Sequence, residues 1–260
     1  MKFGLILKTL AASVILAFTA SSAQAASFSL TGTVRDFQDT HPDFEIFAKG
    51  KPGGFDPGIV AVDLGADKKP VYAGLAGNPT TSGQANFDQW YRDVPGVNLS
   101  KDHSITLEDL DGDGIFTYAS DSFFPINNEL FGNQGRSQNY HFTYEINSQF
   151  TYNGGETFQF TGDDDVFLFI NDKLVIDLGG VHQSLSQTVN LDDLGLTVGE
   201  KYDLDFFFAE RQTVASNLRI DTSIILEQKA VPEPATISLL SLAVLGIGFT
   251  QSRRKQATKI

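Results

Sequence analysis

The chain has 260 residues, no cysteine, and 32 acidic residues against 19 basic ones, which gives a net charge of −13 at pH 7. This acidic excess argues against nucleic acid and anionic lipid surfaces as partners, because binding to phosphates requires clustered Lys and Arg. Without cysteine, neither disulfide bonds nor thiol chemistry is possible, so long loops need another stabiliser. Calcium, which takes about six to eight oxygen ligands, is the obvious candidate.

Residues 1–25 have the parts of a secretory signal peptide. Two lysines accompany an apolar run, and the small residues Ala23 and Ala25 predict a cleavage site after residue 25. An N-terminal membrane anchor is the alternative, but the continuous apolar run at 11–20 is shorter than the roughly 20 residues that a bilayer span needs. We therefore predict a signal helix that is removed on export.

Residues 26–230 form the body of the chain and have the composition of one β-rich domain. No stretch in this body keeps a helical period of apolar residues for long. The region 33–149 is the less regular part, where we expect long loops and a few strands that pack on a sandwich rather than a second domain. Within it, the fragment at 87–93 predicts a short helix. Its Trp90 is either a core residue or a platform on which a sugar ring stacks.

An acidic loop at 109–122 is the first candidate metal site. Asp109, Asp111 and Asp113 alternate with two glycines that permit a tight turn, so the three carboxylates can converge on one cation. The twelfth position of the helical calcium-loop template, which calls for an acid, is a serine here, and flanking helices are not predicted. The sequence favours a calcium loop without helices over a solvated acidic turn.

Short runs in which apolar and polar residues alternate predict strands in the second half of the body. The predicted strands cover 157–160, 166–170, 173–178, 186–191, 202–208 and 217–227. Between the second and third runs lie Asn171 and Asp172, which tolerate the positive φ of a two-residue hairpin turn. We therefore predict an all-β fold, an antiparallel β-sandwich with long loops, that contains a hairpin at 166–178.

The stretch at 162–172, GDDDVFLFIND, is the second candidate metal site. It sets Asp163, Asp164 and Asp165 at the mouth of an apolar strand. Neighbouring carboxylates repel one another, and burying them destabilises the fold unless a cation or a ring of N–H donors compensates. His182, which follows soon after in the chain, either lines the same site or makes a structural hydrogen bond.

The strand at 202–208 alternates as a half-buried sandwich strand should. One side comprises Leu204, Phe206 and Phe208, and the other side comprises Asp203, Asp205 and Phe207. Just after this run, Glu210 and Arg211 predict an ion pair that braces the end of the sandwich in preference to a catalytic pair.

The C-terminal segment has three parts in a fixed order: a stiff Pro-Glu-Pro, a short uncharged apolar run at 235–250, and a basic cluster. The residues concerned are Pro232, Glu233, Pro234, Arg253, Arg254 and Lys255. The segment 231–255 resembles the PEP-CTERM sorting signal of Gram-negative bacteria that make exopolysaccharide. The resemblance implies a short transmembrane helix that an exosortase recognises and removes. A plain C-terminal anchor, with the basic tail 253–255 on the cytoplasmic side, is the alternative.

The body also resembles known families. The stretch FTGDDDVFLFINDKLVIDLGG is similar to the protective-antigen-type lectin-like module. Further motifs between residues 34 and 227 resemble the fibro-slime family of secreted and adhesion proteins. These motifs are VRDFQDTHPDFE, FDQWYRDVPGVN, YHFTYEI and FFFAERQTVASNLRIDTSI. The resemblance implies a jelly-roll sandwich whose tip holds calcium through two successive aspartates, joined by a cis peptide, and an asparagine. These positions match Asp163, Asp164 and Asn217. The extra aspartate leaves the register open between Asp163–Asp164 and Asp164–Asp165.

Together these patterns predict an exported protein of the cell surface or extracellular matrix of a Gram-negative bacterium. Its sandwich would bind extracellular polysaccharide or another glycan through calcium that accepts two vicinal sugar hydroxyls. The alternative is a structural or adhesion protein of a biofilm matrix, in which calcium only stiffens loops. We predict no enzymatic activity, because no nucleophile elbow is present and no carboxylate pair stands out for glycoside hydrolysis.

Overall fold

The computed structural model describes residues 26–74 and 78–229, which fold into β-strands with little helix. The predicted signal peptide and the predicted sorting segment, including the apolar run at 235–250, lie outside these residues. Within the described part of the chain, no helix has both the length and the apolar character needed to cross a membrane.

The described residues contain eleven strands, one short α-helix and two 3-10 helices. The strands are β1 Ala26–Phe37, β2 Asn98–Asp109, β3 Phe116–Ser120, β4 Phe142–Thr151, β5 Thr157–Asp163, β6 Asp165–Ile170, β7 Lys173–Leu178, β8 Leu185–Asn190, β9 Lys201–Glu210, β10 Asn217–Thr222 and β11 Glu227–Gln228. The helices are α1 Gln84–Phe87 and the 3-10 turns Ile46–Lys49 and Leu191–Leu194.

All strand pairs are antiparallel, in the order β7-β6-β9-β4-β1-β2-β3-β10-β5-β8, and β11 pairs with β4. β2 and β3 share only the residue pair Glu108 and Thr117, so the path turns there from one layer of the sandwich into the other. Both layers contribute to one core, with Phe206 from β9 and Phe160 from β5 at a ring separation of 5.8 Å. The predicted antiparallel β-sandwich is confirmed.

The second half of the body follows the sequence pattern closely. The hairpin of β6 and β7 turns at Asn171 and Asp172, whose φ values of 52° and 65° are those of a two-residue turn. β10 is shorter than predicted and ends at Thr222, because the Thr222 hydroxyl accepts the N–H of Ile224 and the chain leaves the ladder.

Two strands, β1 and β2, pair more extensively than the sequence suggested. β1 pairs with β2 along its whole length and with β4 on its other side, so it is an interior strand of the larger layer. β2 reads as polar because much of its length alternates between a buried or half-buried side and an exposed side. The apolar signal of this strand is therefore too weak to identify it from its own residues.

The segment 38–97, between β1 and β2, covers the outer face of β6 and β9. A second apolar cluster forms there: Ile59, Val60, Phe87, Trp90, Tyr91, Phe167, Phe169, Phe207 and Ala209. The prediction that the strand at 202–208 is half-buried is therefore wrong, since both of its faces are covered. The predicted helix at 87–93 is also displaced, because α1 ends at Phe87 and turns follow it.

Trp90 lies inside this second cluster. Its side chain is fully buried, its indole Nε1 donates a hydrogen bond to Asp43 Oδ2 at 3.1 Å, and its ring packs 4.8 Å from that of Phe87. Of the two roles considered for this tryptophan, the structure supports core packing and not an exposed stacking platform.

Replacing Phe207 with alanine tests the burial of the second face of β9. Phe207→Ala should lower the free energy of unfolding by about 3–5 kcal/mol, because it leaves a cavity beneath the 38–97 segment. The matched control is Val198→Ala at a position that is 65% exposed, where a change of less than about 0.5 kcal/mol is expected. Urea denaturation measures both, and a loss below about 1 kcal/mol for Phe207→Ala would contradict the burial.

Asp205 makes the stability depend on pH. Burial raises the pKa of its carboxyl group to about 6, against the opposing effect of Lys229, whose Nζ lies 3.6 Å from Oδ1. As pH rises from about 4 to about 6, the unfolded chain releases this proton while the folded protein retains it, so the group's contribution to stability falls.

Asp205→Asn should remove this loss, because an amide cannot ionise. Between pH 4 and pH 7 the wild-type free energy of unfolding should fall by about 2 kcal/mol relative to that of the variant. Denaturation of both proteins at each pH, in the presence of EGTA, measures the difference. A difference that stays constant across this range would show that Asp205 does not titrate as stated.

Candidate functional site

Four strand ends meet at one edge of the sandwich and bring the sequence-predicted acidic triplet to Asn217. β5 ends at Asp163, β6 begins at Asp165, and Asp164 links them. Because β5 pairs with β10, Asp163 lies directly opposite Asn217, and because β6 pairs with β9, Asp165 lies opposite Ala209. The strand register therefore assembles residues that are more than 50 positions apart in the chain.

Among the described residues, Asn217 is the one that donates hydrogen bonds to the Asp163 side chain. Its Oδ1 accepts the backbone N–H of Asn217 at 2.6 Å, and its Oδ2 accepts the side-chain Nδ2 at 2.8 Å. The Asp163–Asp164 peptide bond is cis. Asp163 and Asn217 thus form one polar unit at the end of two paired strands.

Within the described part of the chain, the Asp164 side chain accepts hydrogen bonds from backbone groups only. The N–H of His182 reaches its Oδ1 at 3.1 Å, and the N–H of Arg211 reaches its Oδ2 at 3.2 Å. Burial raises the pKa of Asp164 well above its usual range; the nearby Arg211 guanidinium opposes this effect and the Asp165 carboxylate adds to it. The ionised form of Asp164 therefore lacks a counter-charge of its own, which a bound cation would supply.

Asp165 is engaged elsewhere. The guanidinium of Arg211 holds it in two hydrogen bonds, Nε to Oδ2 at 2.6 Å and Nη2 to Oδ1 at 3.0 Å, and the N–H of Gly180 donates to Oδ1 at 2.6 Å. Both side chains of this ion pair are fully buried. Asp165 therefore differs from Asp163 and Asp164, because its charge is neutralised by a guanidinium.

The predicted ion pair between Glu210 and Arg211 is not formed, because Arg211 pairs with Asp165. At the end of a strand, successive side chains point to opposite faces of the sheet. Arg211 points under the 38–97 segment, where it donates to the carbonyl of Thr80 at 2.8 Å and its guanidinium lies 4.7 Å from the centre of the Trp90 ring.

Glu210 is a site residue that the sequence reasoning did not assign to the triplet. It is buried, its Oε2 has no hydrogen-bond partner among the described residues, and neither has Ser216 Oγ. Burial raises the pKa of Glu210 well above its usual range, with further contributions from Asp164 and Asp163. One sequence signal pointed to Glu210: it ends β9, and the chain then leads into β10, which pairs with β5 beside Asp163.

A cleft of about 720 Å³ opens over Asp163 and Asp164. The remaining lining residues are Phe47, Gly53, Gly54, Phe55, Val181, His182, Gln183, Leu185, Gln212, Thr213, Val214 and Ala215. His182 combines the two roles considered for it, since it lines the cleft and its ring nitrogens lie 2.8 Å from the carbonyl oxygen of Gln183 and 3.1 Å from that of Leu178.

The acidic loop between β2 and β3 also brings its three aspartates together. One carboxylate oxygen from each of Asp109, Asp111 and Asp113 lies within 4.8 Å of the others. Each side chain also accepts a backbone N–H inside the loop, as Asp109 does from Gly112 at 2.8 Å. Strands rather than helices flank the loop, and its geometry accommodates a cation as well as a self-capped turn.

A third acidic group, which the sequence analysis did not predict, forms ion pairs with lysines. Asp172, Asp203 and Asp205 converge where β9 begins and the β6–β7 hairpin turns. Lys68 Nζ lies 2.6 Å from Asp172, and Lys229 Nζ lies 2.9 Å from Asp203. This group ties the last described residue, Lys229, to the sandwich at the opposite end of β9 from Glu210.

Comparison with known proteins adds two family matches. Residues 125–235 match the PA14 domain family, and residues 230–255 match the PEP-CTERM protein-sorting motif. The PA14 match contains the aspartate triplet, Glu210 and Asn217, whereas β1 to β3 and the 38–97 segment precede it. No match tests the fibro-slime resemblance, which stays a prediction.

Curated relatives match most of this chain. The chain is 41% identical over 239 residues to Protein psiD of Dictyostelium discoideum, covering 86% of this chain and 47% of psiD. It is 41% identical over 216 residues to Protein psiC of the same organism, covering 77% of this chain and 42% of psiC. The chain thus spans less than half the length of these two curated relatives.

Among solved structures, the PA14 sugar-binding domain from an RTX adhesin is 15% identical, with 35% of this chain and 52% of that chain covered. The TM-score of 0.28 is too low for the likeness to carry an argument. The sorting motif implies processing by an exosortase and export to the cell surface or extracellular space. This chain therefore contains a region that matches the PA14 domain family, in which strand ends hold the acidic site, and a following segment that matches the PEP-CTERM protein-sorting motif.

Proposed function

We propose that this protein is exported by a Gram-negative bacterium and binds carbohydrate through a calcium ion at the Asp163–Asp164 pair. The observation that carries the proposal is the position of these two carboxylates at the floor of an open cleft, with Asn217 hydrogen-bonded to Asp163, while Asp165 is neutralised by Arg211. The ligand would be an extracellular polysaccharide or another glycan in the matrix around the cell.

The donor atoms of this site fit calcium. Carboxylate oxygens of Asp163 and Asp164 and the amide oxygen of Asn217 are the hard ligands that this ion prefers. Asp164 is buried without a counter-charge of its own, and the buried Glu210 carboxyl, whose Oε2 has no hydrogen-bond partner among the described residues, lies near it. A divalent cation would compensate this excess of negative charge.

Each residue then has a separate task. Asp163 and Asp164 would hold the ion and leave it open to the cleft, and Asn217 orients Asp163 through two hydrogen bonds. Calcium in such a position can accept two vicinal hydroxyl groups of a sugar. Arg211 positions Asp164 through its backbone N–H and keeps Asp165 away from the ion.

A structural role in a biofilm matrix is the second candidate, and the acidic loop of Asp109, Asp111 and Asp113 favours it. The loop leads into β3, whose residue Phe116 pairs with Thr222 at the far end of β10, whereas Asn217 is at the near end. The five steps between Asn217 and Thr222 correspond to roughly 17 Å of strand. Calcium in this loop would stiffen the β2–β3 connection without reaching a sugar in the cleft.

Calcium titration of single variants separates the two sites. Asp163→Asn should weaken calcium binding at the cleft at least about tenfold, because one charged ligand is lost, which corresponds to about 1.4 kcal/mol. The matched variant Asp111→Asn changes an exposed ligand of the distant loop and should leave cleft binding intact. Isothermal titration calorimetry of calcium-depleted protein measures both. Unchanged binding in Asp163→Asn would remove the aspartate pair from the site.

Glycan binding with and without a chelator decides between the two functions. The purified protein should bind glycans on an array in calcium, lose this binding in EGTA, and lose it in Asp163→Asn but keep it in Asp111→Asn. Sugar binding that survives EGTA would rule out the calcium-bridged mechanism, and a lack of binding in calcium would favour the structural role. Release of reducing ends from matrix polysaccharide would instead identify a glycan-cleaving enzyme.

A further inference from the structure

We infer that the cleft is built for an uncharged glycan of more than one ring. One ring would lie over Asp163 and Asp164, and the neighbouring ring would stack on Phe47 and Phe55. The inference rests on the proposed carbohydrate binding and adds the ligand class and a second subsite, formed by the 38–97 segment outside the PA14 match.

Two exposed aromatic rings mark this subsite. Phe47 is 53% exposed and Phe55 is 54% exposed, whereas most phenylalanines among the described residues are buried. Both line the cleft that contains the aspartate pair. Ligand pockets commonly combine aromatic walls with a few polar groups that fix orientation, and the apolar face of a sugar ring packs well on an aromatic ring.

The wall that carries these rings is held in place before any ligand arrives. The N–H of Gly54 donates to the carbonyl of Val181 at 2.6 Å, and the N–H of Asp56 donates to the carbonyl of Gly179 at 2.6 Å. Gly180 has a φ of 112°, and a Cβ on it would lie 2.2 Å from the carbonyl oxygen of Gly54. This close backbone approach keeps the wall from moving freely, which reduces the entropic cost of binding.

A second wall, residues 212–215, is also braced. Glu45 accepts the N–H of Thr213 at 3.1 Å and the side-chain Nε2 of Gln212 at 3.0 Å, and His141 Nε2 lies 2.9 Å from its Oε1. Val214 on this wall is 83% exposed and gives the second side of the cleft an apolar edge. The cleft therefore has two fixed walls with a carboxylate floor.

The size of the cleft suits more than one ring. Its volume of about 720 Å³ lies in the upper half of the range of about 300–1,000 Å³ for pockets that enclose drug-sized ligands. A ligand of two or three sugar rings, on the order of that size, would reach from the aspartate pair to the exposed rings. A single ring would leave the aromatic wall unused.

The charge of the cleft selects an uncharged ligand. No Lys or Arg is present among the described residues that line it, and a calcium ion would only offset Asp163 and Asp164. The whole chain has a net charge of −13. A uronate or sulfated sugar would enter this field without a cation of its own to pair with.

The test compares ligand lengths and charges on the purified full chain in calcium. The probes are galactose, mannose, a neutral trisaccharide of each, and trigalacturonate, and the variants are Phe47→Ala and Phe55→Ala, with Phe55→Trp as the conservative change. The matched control is Ile225→Ala, another exposed apolar residue, which is 64% exposed and does not line the cleft. Calorimetry gives the affinity for calcium and for each sugar.

A neutral trisaccharide should bind at least about tenfold more tightly than its monosaccharide, a difference of about 1.4 kcal/mol. Phe47→Ala and Phe55→Ala should each remove most of this gain while calcium and monosaccharide binding stay unchanged, and Phe55→Trp and Ile225→Ala should keep it. Calcium-dependent monosaccharide binding with an unaltered gain in both alanine variants would overturn this inference alone. Equal affinity for trigalacturonate would do the same. If trigalacturonate alone binds to the wild-type protein in calcium, this inference fails and the proposed function stands; if none of the sugars binds, both fail.

Discussion

The buried ion pair between Arg211 and Asp165 is the contact on which the arrangement of the site depends. It joins the end of β9 to the start of β6, and through the Thr80 carbonyl and the Trp90 ring it also fixes the 38–97 segment. Removing one member of a buried pair costs about 3–5 kcal/mol, because the other charge is left uncompensated. The pair therefore holds together parts of the chain that no continuous strand connects.

The same pair separates two roles within three consecutive aspartates. Asp165 belongs to the interior, with a guanidinium on one side and a backbone N–H on the other. Asp163 and Asp164 are left at the floor of the cleft, where only uncharged groups donate to them. Negative charge is thus concentrated at one accessible point, and the strand ends that deliver it are fixed by the ladders of β5 with β10 and β6 with β9.

Local pattern accounts for much of the second half of the fold, because a strand and its turn carry their own signals. The turn at Asn171 and Asp172 and the alternation before and after it predict the β6–β7 hairpin directly. The candidate ligands Asp163, Asp164 and Asn217 followed from a family resemblance, and the structure brings them together. The choice among the three aspartates depended on Arg211, which lies 46 positions from Asp165, and strand pattern alone assigned that arginine to the adjacent Glu210.

Local sequence pattern did not predict two features: the pairing of strands β1 and β2, and the burial of the outer face of β9. β2 exposes polar residues on one side, so its pairing with β1 depends on a partner more than 60 positions away in the chain. Phe207 and Asp205 were assigned to solvent because nothing within the strand shows that residues 38–97 return to cover it. The alternation correctly predicts a strand, but the tertiary contacts decide whether its polar face is exposed or buried.

The ion pair of Lys229 with Asp203 also sets the orientation in which the cleft is presented. Lys229 is the residue before the sorting motif, and it is held at the start of β9, whereas Glu210 and the aspartate pair lie at the other end of that strand. From Asp203 to Glu210 the strand advances by seven residues, a length of roughly 23 Å. A protein attached to a surface through the residues that follow Lys229 would hold its cleft on the far side, facing the surrounding medium.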